Sequence, residues 1–185
     1  MSFTFTKLKI PDIVYIVPKK FSDDRGMFLE SYKYSSFVVG GISVDFVQDN
    51  FSRSKKGVLR GLHYQLNPHA QGKLVTCVKG KVFDVAVDLR KNSSYYGKWV
   101  GKILTSDKND MLYIPEGFAH GFLALSENVE FSYKVTKEYA SQYDRGIVWN
   151  DPDLKIEWGI DNPVLSDKDK VHPKFKDAEC NFIVL

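Results

Sequence analysis

The feature that most constrains this chain is a series of short segments alternating apolar and polar residues with period two, cut apart by glycine and proline. Residues 82–89 show it best: Phe83, Val85, Val87 and Leu89 fall on one side, and Asp84, Ala86 and Asp88 on the other. Residues 130–136 repeat it, with Phe131, Tyr133 and Val135 opposed to Ser132, Lys134 and Thr136. Residues 13–17, 44–50, 58–65, 73–79, 99–105 and 110–114 read as further strands, separated by Gly57, Gly72, Gly80, Gly97 and the Pro115-Glu116-Gly117 turn. Many short strands with frequent turns predict an all-β sandwich or barrel. Helix is scarce. Residues 34–39 make a turn or two, and Ser166 caps a short helix or turn that includes Asp167, Lys168 and Asp169. No repeat, low-complexity tract or Pro/Gly-rich linker divides the 185 residues, which predicts one domain over 1–185. The last third has fewer alternating segments and reads as a tail wrapped around that domain.

Composition excludes several functions. The net charge of +3 comes from scattered Lys and Arg, and the densest pairs, Lys19-Lys20 and Lys55-Lys56, are too short for a nucleic-acid footprint. No apolar run approaches a membrane span, and the N-terminus lacks the apolar core of a signal peptide. Cys77 and Cys180 form neither a disulfide framework nor a metal knuckle; two buried free thiols in a reducing cytoplasm are expected, with one long-range disulfide as the alternative.

The chemistry-bearing residues are few. Of four histidines, His63 lies in a strand behind Arg60 and ahead of Lys73, which starts the next strand. Cations beside an imidazole favour its neutral form, the form that acts as a base. Such a base suits proton abstraction next to a carbonyl. Lys73 is the candidate to hold the oxygen where enolate charge develops. A tyrosine keeps its proton until needed, so Tyr133, on the core-facing side of its strand, is the candidate acid; simple packing is the other reading.

Pro115-x-Gly117-x-x-His120 resembles the second short motif of the cupin superfamily, whose jelly-roll barrels often hold a metal. The first cupin motif supplies two histidines as His-x-His, whereas this chain reads His63-Tyr64-Gln65. An amide oxygen is a poor ligand for a transition metal, and His69 lies in a loop after Asn67-Pro68, so no metal and no cofactor are expected.

The motifs together resemble the dTDP-4-dehydrorhamnose 3,5-epimerase family over nearly the whole chain. They are Phe21-Ser22-Asp23-Asp24-Arg25-Gly26-Met27-Phe28-Leu29-Glu30-Ser31 and the runs 46–54, 59–65, 73–75, 82–90, 114–122, 149–153 and 165–169, in that order. The resemblance implies a cupin-like jelly-roll homodimer acting on a 4-keto-6-deoxy sugar attached to dTDP. It implies that His63 is the base, Tyr133 the acid, Asp169 the carboxylate paired with the base, and Lys73 the group that holds the enolate oxygen. It also implies substrate contacts at Arg25, Glu30, Gln48, Asp49, Asn50, Arg60, Lys73 and His120. Asp144 stands where the family usually carries Glu, and Lys168 is a further contact or a surface lysine. Phe21 and Phe28 are expected either to stack on thymine or to pack in the core, and Asp84 and Asp88 to be structural.

Three other readings stay open at this point. One is epimerisation at a single carbon, which needs the same base, lysine and tyrosine. Another is a metal-dependent cupin enzyme, against which Gln65 counts. The last is a non-catalytic sugar-nucleotide binding module, which would not need an acid and a base.

Overall fold

The computed structural model describes residues 2–184. Most of the strands build two antiparallel sheets. The larger runs, in spatial order, β1 (Phe3–Lys7), β2 (Val14–Pro18), β10 (Met111–Ile114), β7 (Lys73–Lys79), β12 (Val129–Val135) and β5 (Gln48–Ser54). The smaller runs β13 (Asp144–Gly146), β6 (Leu59–Gln65), β11 (Phe118–Ala124), β8 (Lys81–Asp88) and β9 (Trp99–Thr105). A hairpin of β3 (Lys20–Asp23) and β4 (Gly26–Leu29) forms a separate two-stranded sheet. The two large sheets make the jelly-roll sandwich that the sequence motifs imply.

The alternation within the strands explains the layers. Val75, Cys77, Val129 and Phe131 from the six-stranded sheet meet Val82, Ala86, Phe118 and Phe122 from the five-stranded one. Phe131 stacks on Phe122 with centroids 4.2 Å apart, joining the sheets across the interior. The outer face of the five-stranded sheet is covered in turn. Leu59, Val85, Val87, Ala119 and Leu123 pack with Ile147, Leu154, Trp158 and Phe182 from the chain's last third. The side of β8 bearing Asp84 and Ala86 therefore faces the interior, while its apolar side lies under the C-terminal segment. Short bridges hold that segment down, Val58 to Val164 and Lys91 to Ile183. The outer face of the six-stranded sheet is covered by α1 (Tyr34–Val39), whose Phe37 is fully buried among Phe3, Ile16 and Met111.

Several elements differ from the sequence reading. The strand expected at 44–50 runs instead over Gln48–Ser54. Val44 and Phe46 alternate because they pack against the cluster around Phe37, not because they pair in a ladder. β11 carries no alternation at all, since all seven of its residues are buried between two covered faces. Both cysteines are free, but only Cys77 is buried; Cys180 is half-buried in the C-terminal segment, its thiol 3.0 Å from the Leu89 carbonyl. Among the described residues no helix is long and apolar enough to cross a membrane.

Candidate active site

A cavity of about 220 Å³ opens between the sheets, lined by Ser52, Arg60, His63, Lys73, His120, Phe122, Tyr133, Ser166, Lys168 and Asp169. Strand register explains which side chains reach it. Tyr133 pairs with Val75 and Asn50, and Val135 pairs with Lys73 and Gln48. Directly opposed residues share a face, so Gln48, Asn50, Lys73 and Tyr133 all project from one side of the six-stranded sheet. On the facing sheet His63 pairs with His120, and Arg60 with Phe122.

Period two would place Arg60 and His63, three positions apart, on opposite faces. A register shift between them puts both into the cavity. The extra residue is accommodated at Gly61, which has φ +131°. A side chain there would put its Cβ 2.5 Å from the Gly121 Cα, so the close approach of β6 and β11 requires both glycines.

Asp169 arrives from another element. It lies in α2 (Asp167–Lys170), whose cap Ser166 accepts a hydrogen bond from the Asp169 backbone N–H at 3.1 Å. That turn holds the Asp169 carboxylate 2.5 Å from Nε2 of His63. With Nε2 donating to the carboxylate, the imidazole keeps its lone pair on Nδ1.

The electrostatics follow from burial and neighbours. Burial pulls the His63 pKa down; the bond to Asp169 opposes this and Lys73 reinforces it, leaving the pKa below the usual 6.5. Burial alone would raise the Asp169 pKa, but the imidazoles of His172 and His63 outweigh it and hold the carboxyl well below the usual range. Lys73 is buried, which brings its ammonium down to about 8 although Asp144 and Asp84 favour its charge. Burial raises the Tyr133 phenol, and Arg60 offsets part of that. The carboxyl of the fully buried Asp84 is likewise raised by burial and steadied by His120, whose Nε2 lies 2.8 Å away. Breaking such a buried pair by removing one partner costs about 3–5 kcal/mol.

Not every anticipated contact gathers here. Gln48 donates to Asn50 at 2.8 Å beside the cavity. Asp144, with Lys168 and the Tyr139 hydroxyl bound to it, neighbours the cavity. Asp49 does not join: it lies on the opposite strand face, exposed, with Lys134 at 2.9 Å, because it alternates with its two neighbours. Phe21, Arg25 and Phe28 belong to the separate hairpin and line a different depression with Met27, while Glu30 follows that hairpin and pairs with Lys33. Phe21 and Phe28 are exposed, which removes the core-packing reading for this chain. Sequence reasoning missed Ser52 and His172. Ser52 was findable, since it is two residues from Asn50 and shares its face; its buried Oγ has no protein partner. His172 carried no signal, because only the turn after α2 brings it within 3.5 Å of Asp169.

The residues do not fit a cupin-type metal set. The Gln65 amide is used up by the backbone, donating to the His69 carbonyl and accepting from the Ala140 N–H. His69 stacks on Tyr143, and His120 is engaged by Asp84.

A profile of the dTDP-4-dehydrorhamnose 3,5-epimerase family matches residues 7–177. The chain belongs to that family. Among curated epimerases of the family, the dTDP-4-dehydrorhamnose 3,5-epimerase of Shigella flexneri is 55% identical over 174 residues, covering 94% of this chain and 96% of that protein. The one from Pseudomonas aeruginosa is 54% identical, covering 95% and 97%. The crystal structure of an epimerase from Legionella pneumophila, in complex with dTDP-4-keto-L-rhamnose, superimposes with a TM-score of 0.91 at 44% identity, covering 95% of this chain and 94% of that one.

Proposed function

We propose that this epimerase inverts carbons 3 and 5 of dTDP-4-dehydro-6-deoxy-D-glucose, giving dTDP-4-dehydro-L-rhamnose. The observation that carries the reading is that His63 and Tyr133 stand on facing sheets of one cavity that also contains the buried Lys73. His63 takes the proton from the carbon next to the C4 ketone, at Nδ1. Asp169 holds the ring and stabilises the imidazolium so formed. Lys73 stabilises the oxygen on which enolate charge develops. Tyr133 returns a proton from the other side of the sugar, and its raised pKa keeps that proton in place until the enolate is there to take it. Carbons 3 and 5 both flank the ketone, so one base and one acid serve both centres once the ring shifts.

The volume supports this division of the substrate. About 220 Å³ is below the roughly 300–1,000 Å³ of pockets that enclose drug-sized ligands, so the cavity takes the sugar and leaves the diphosphate and base outside. Arg60 and Lys168 belong to its exposed lining and are suited to a diphosphate at its mouth. The unpartnered Ser52 Oγ suits a sugar hydroxyl.

The reading includes a cytoplasmic homodimer, supported by the two free thiols and by the hairpin. The resemblance implies substrate contacts at Phe21, Arg25, Phe28 and Glu30, yet this chain places none of them at its own cavity. A second copy reconciles the two, with the exposed Phe21, Met27 and Phe28 of one protomer serving the cavity of the other. Chains carrying Arg25→Ala and His63→Ala, each inactive alone, should then regain activity when mixed and refolded together. Failure to regain it would exclude a shared site.

Proton NMR in deuterated water with the keto sugar tests the reaction. Exchange at both carbons is expected, and exchange at one carbon or none overturns the double epimerisation. Tyr133→Phe should slow product formation by about 10²-fold, in the range for a lost general acid, while leaving proton exchange much less affected. Equal losses in both would remove Tyr133 as the acid.

A further inference from the structure

We infer that His63, Asp169 and His172 form a binding site for a single Zn²⁺ ion, and that zinc bound there switches the enzyme off. The Nε2 of His63 lies 2.5 Å and the Nε2 of His172 3.5 Å from the same Asp169 oxygen. All three donor atoms fall within 4.8 Å of one another. Zinc bonds of about 2.0–2.1 Å to nitrogen and oxygen set tetrahedral donors roughly 3.3 Å apart, so the ion enters by widening the first gap and closing on the second. Two imidazoles and one carboxylate are a donor set that zinc accepts readily, and water from the cavity supplies the fourth position.

His172 gives this cluster its meaning. Its side chain is 9% exposed, and its Nε2 makes no hydrogen bond; its one charged neighbour is the Asp169 oxygen, at the ion-pair distance of 3.5 Å. A buried polar atom that makes no full hydrogen bond needs a reason. The ring is seated against Gly146, where any Cβ would fall 2.4 Å from it, and Gly146 pairs in register with His63. The backbone thus leaves room for a second imidazole directed at the carboxylate that serves the first. The proposed reaction does not use it.

The consequence for activity rests on His63 being the base. A neutral imidazole carries one proton. Zinc on Nε2 takes the lone pair there, so that proton moves to Nδ1, the nitrogen that would have accepted the substrate's proton. Asp169 is already ionised, and the charge that steadied the imidazolium is spent on the metal. The ring then has no free lone pair, and proton abstraction stops.

Cobalt tests the site without using activity, because tetrahedral Co²⁺ gives a visible absorption band. Titrating the metal-free protein with Co²⁺ should produce that band at one equivalent per chain, and Zn²⁺ should abolish it by displacement. His172→Gln and His172→Ala should each weaken binding by about 100-fold or more, beyond the 10–100-fold typical for supporting residues around a metal. In parallel, Zn²⁺ should inhibit keto-sugar exchange reversibly, with EDTA restoring it, and the exchange that both His172 variants show in EDTA should resist zinc. Absence of the band in the wild type, or variants as zinc-sensitive as the wild type, overturns the site and leaves the base assignment untouched. Cobalt bound through these residues with no loss of exchange overturns the shut-off and counts against His63 as the base.

Discussion

His63→Ala is expected to abolish deuterium uptake at carbons 3 and 5 of the keto sugar, lowering exchange by about 10³–10⁴-fold, the upper range for removing a general base. Nucleotide binding should survive, because the cavity takes the sugar and the groups suited to the diphosphate are Arg60 and Lys168. The fold should survive too. Asp169 keeps His172 at 3.5 Å and its place in the Ser166-capped turn, so its buried carboxylate is not stranded. The pH dependence has a definite sign. As the proposed base His63 works unprotonated, and burial holds its pKa below 6.5, so kcat/KM should persist to pH values at which a solvent-exposed histidine would already be protonated. Exchange at the wild-type rate in the alanine variant would remove His63 from the mechanism.

Lys73→Met is the second large effect. Losing a preorganised donor at a developing oxyanion costs about 10²–10³-fold in kcat, and here exchange and product formation should fall together, because both require the enolate. This separates Lys73 from Tyr133, whose loss should act on the return of the proton. In the free wild-type enzyme the ammonium is brought down to about 8, so kcat/KM should decline as pH rises through that value and the cationic form is lost. The residual activity of the methionine variant should lack that alkaline limb. A limb that persists unchanged belongs to another group. Thermal stability gives an independent check. Lys73 is buried and its folded pKa lies below the unfolded value, so its charge opposes folding at neutral pH. Methionine removes that penalty, and the melting temperature should hold or rise.

Much of this molecule was legible from local pattern. The strands at Lys73–Lys79 and Trp99–Thr105 and the helix at Tyr34–Val39 fall at the residues that alternation and turn signals indicated. The cap at Ser166 was likewise readable, because a serine oxygen answering a free N–H is a local interaction. Tyr133 faces inward as its period-two position required, and it lines one cavity with His63 and Lys73. The same alternation sends Asp49 to the face away from Asn50 and from the cavity.

Local sequence was enough for the all-β character, most strand positions, the family, and the imidazole, ammonium and phenol that line the cavity. These depend on side-chain period and on motifs carried by contiguous residues. Tertiary structure alone decided which residues meet. The bulge at Gly61 turns Arg60 and His63 to one side, against the period of the strand. β11 reads as strand only once sheet and C-terminal segment have buried both its faces. His172 reaches the Asp169 carboxylate through a helical turn, and the hairpin of Phe21 and Phe28 stands away from the cavity of its own chain. Each of these is a contact between segments distant in sequence, or a local break in a regular period, and neither leaves a repeating mark in the order of the residues.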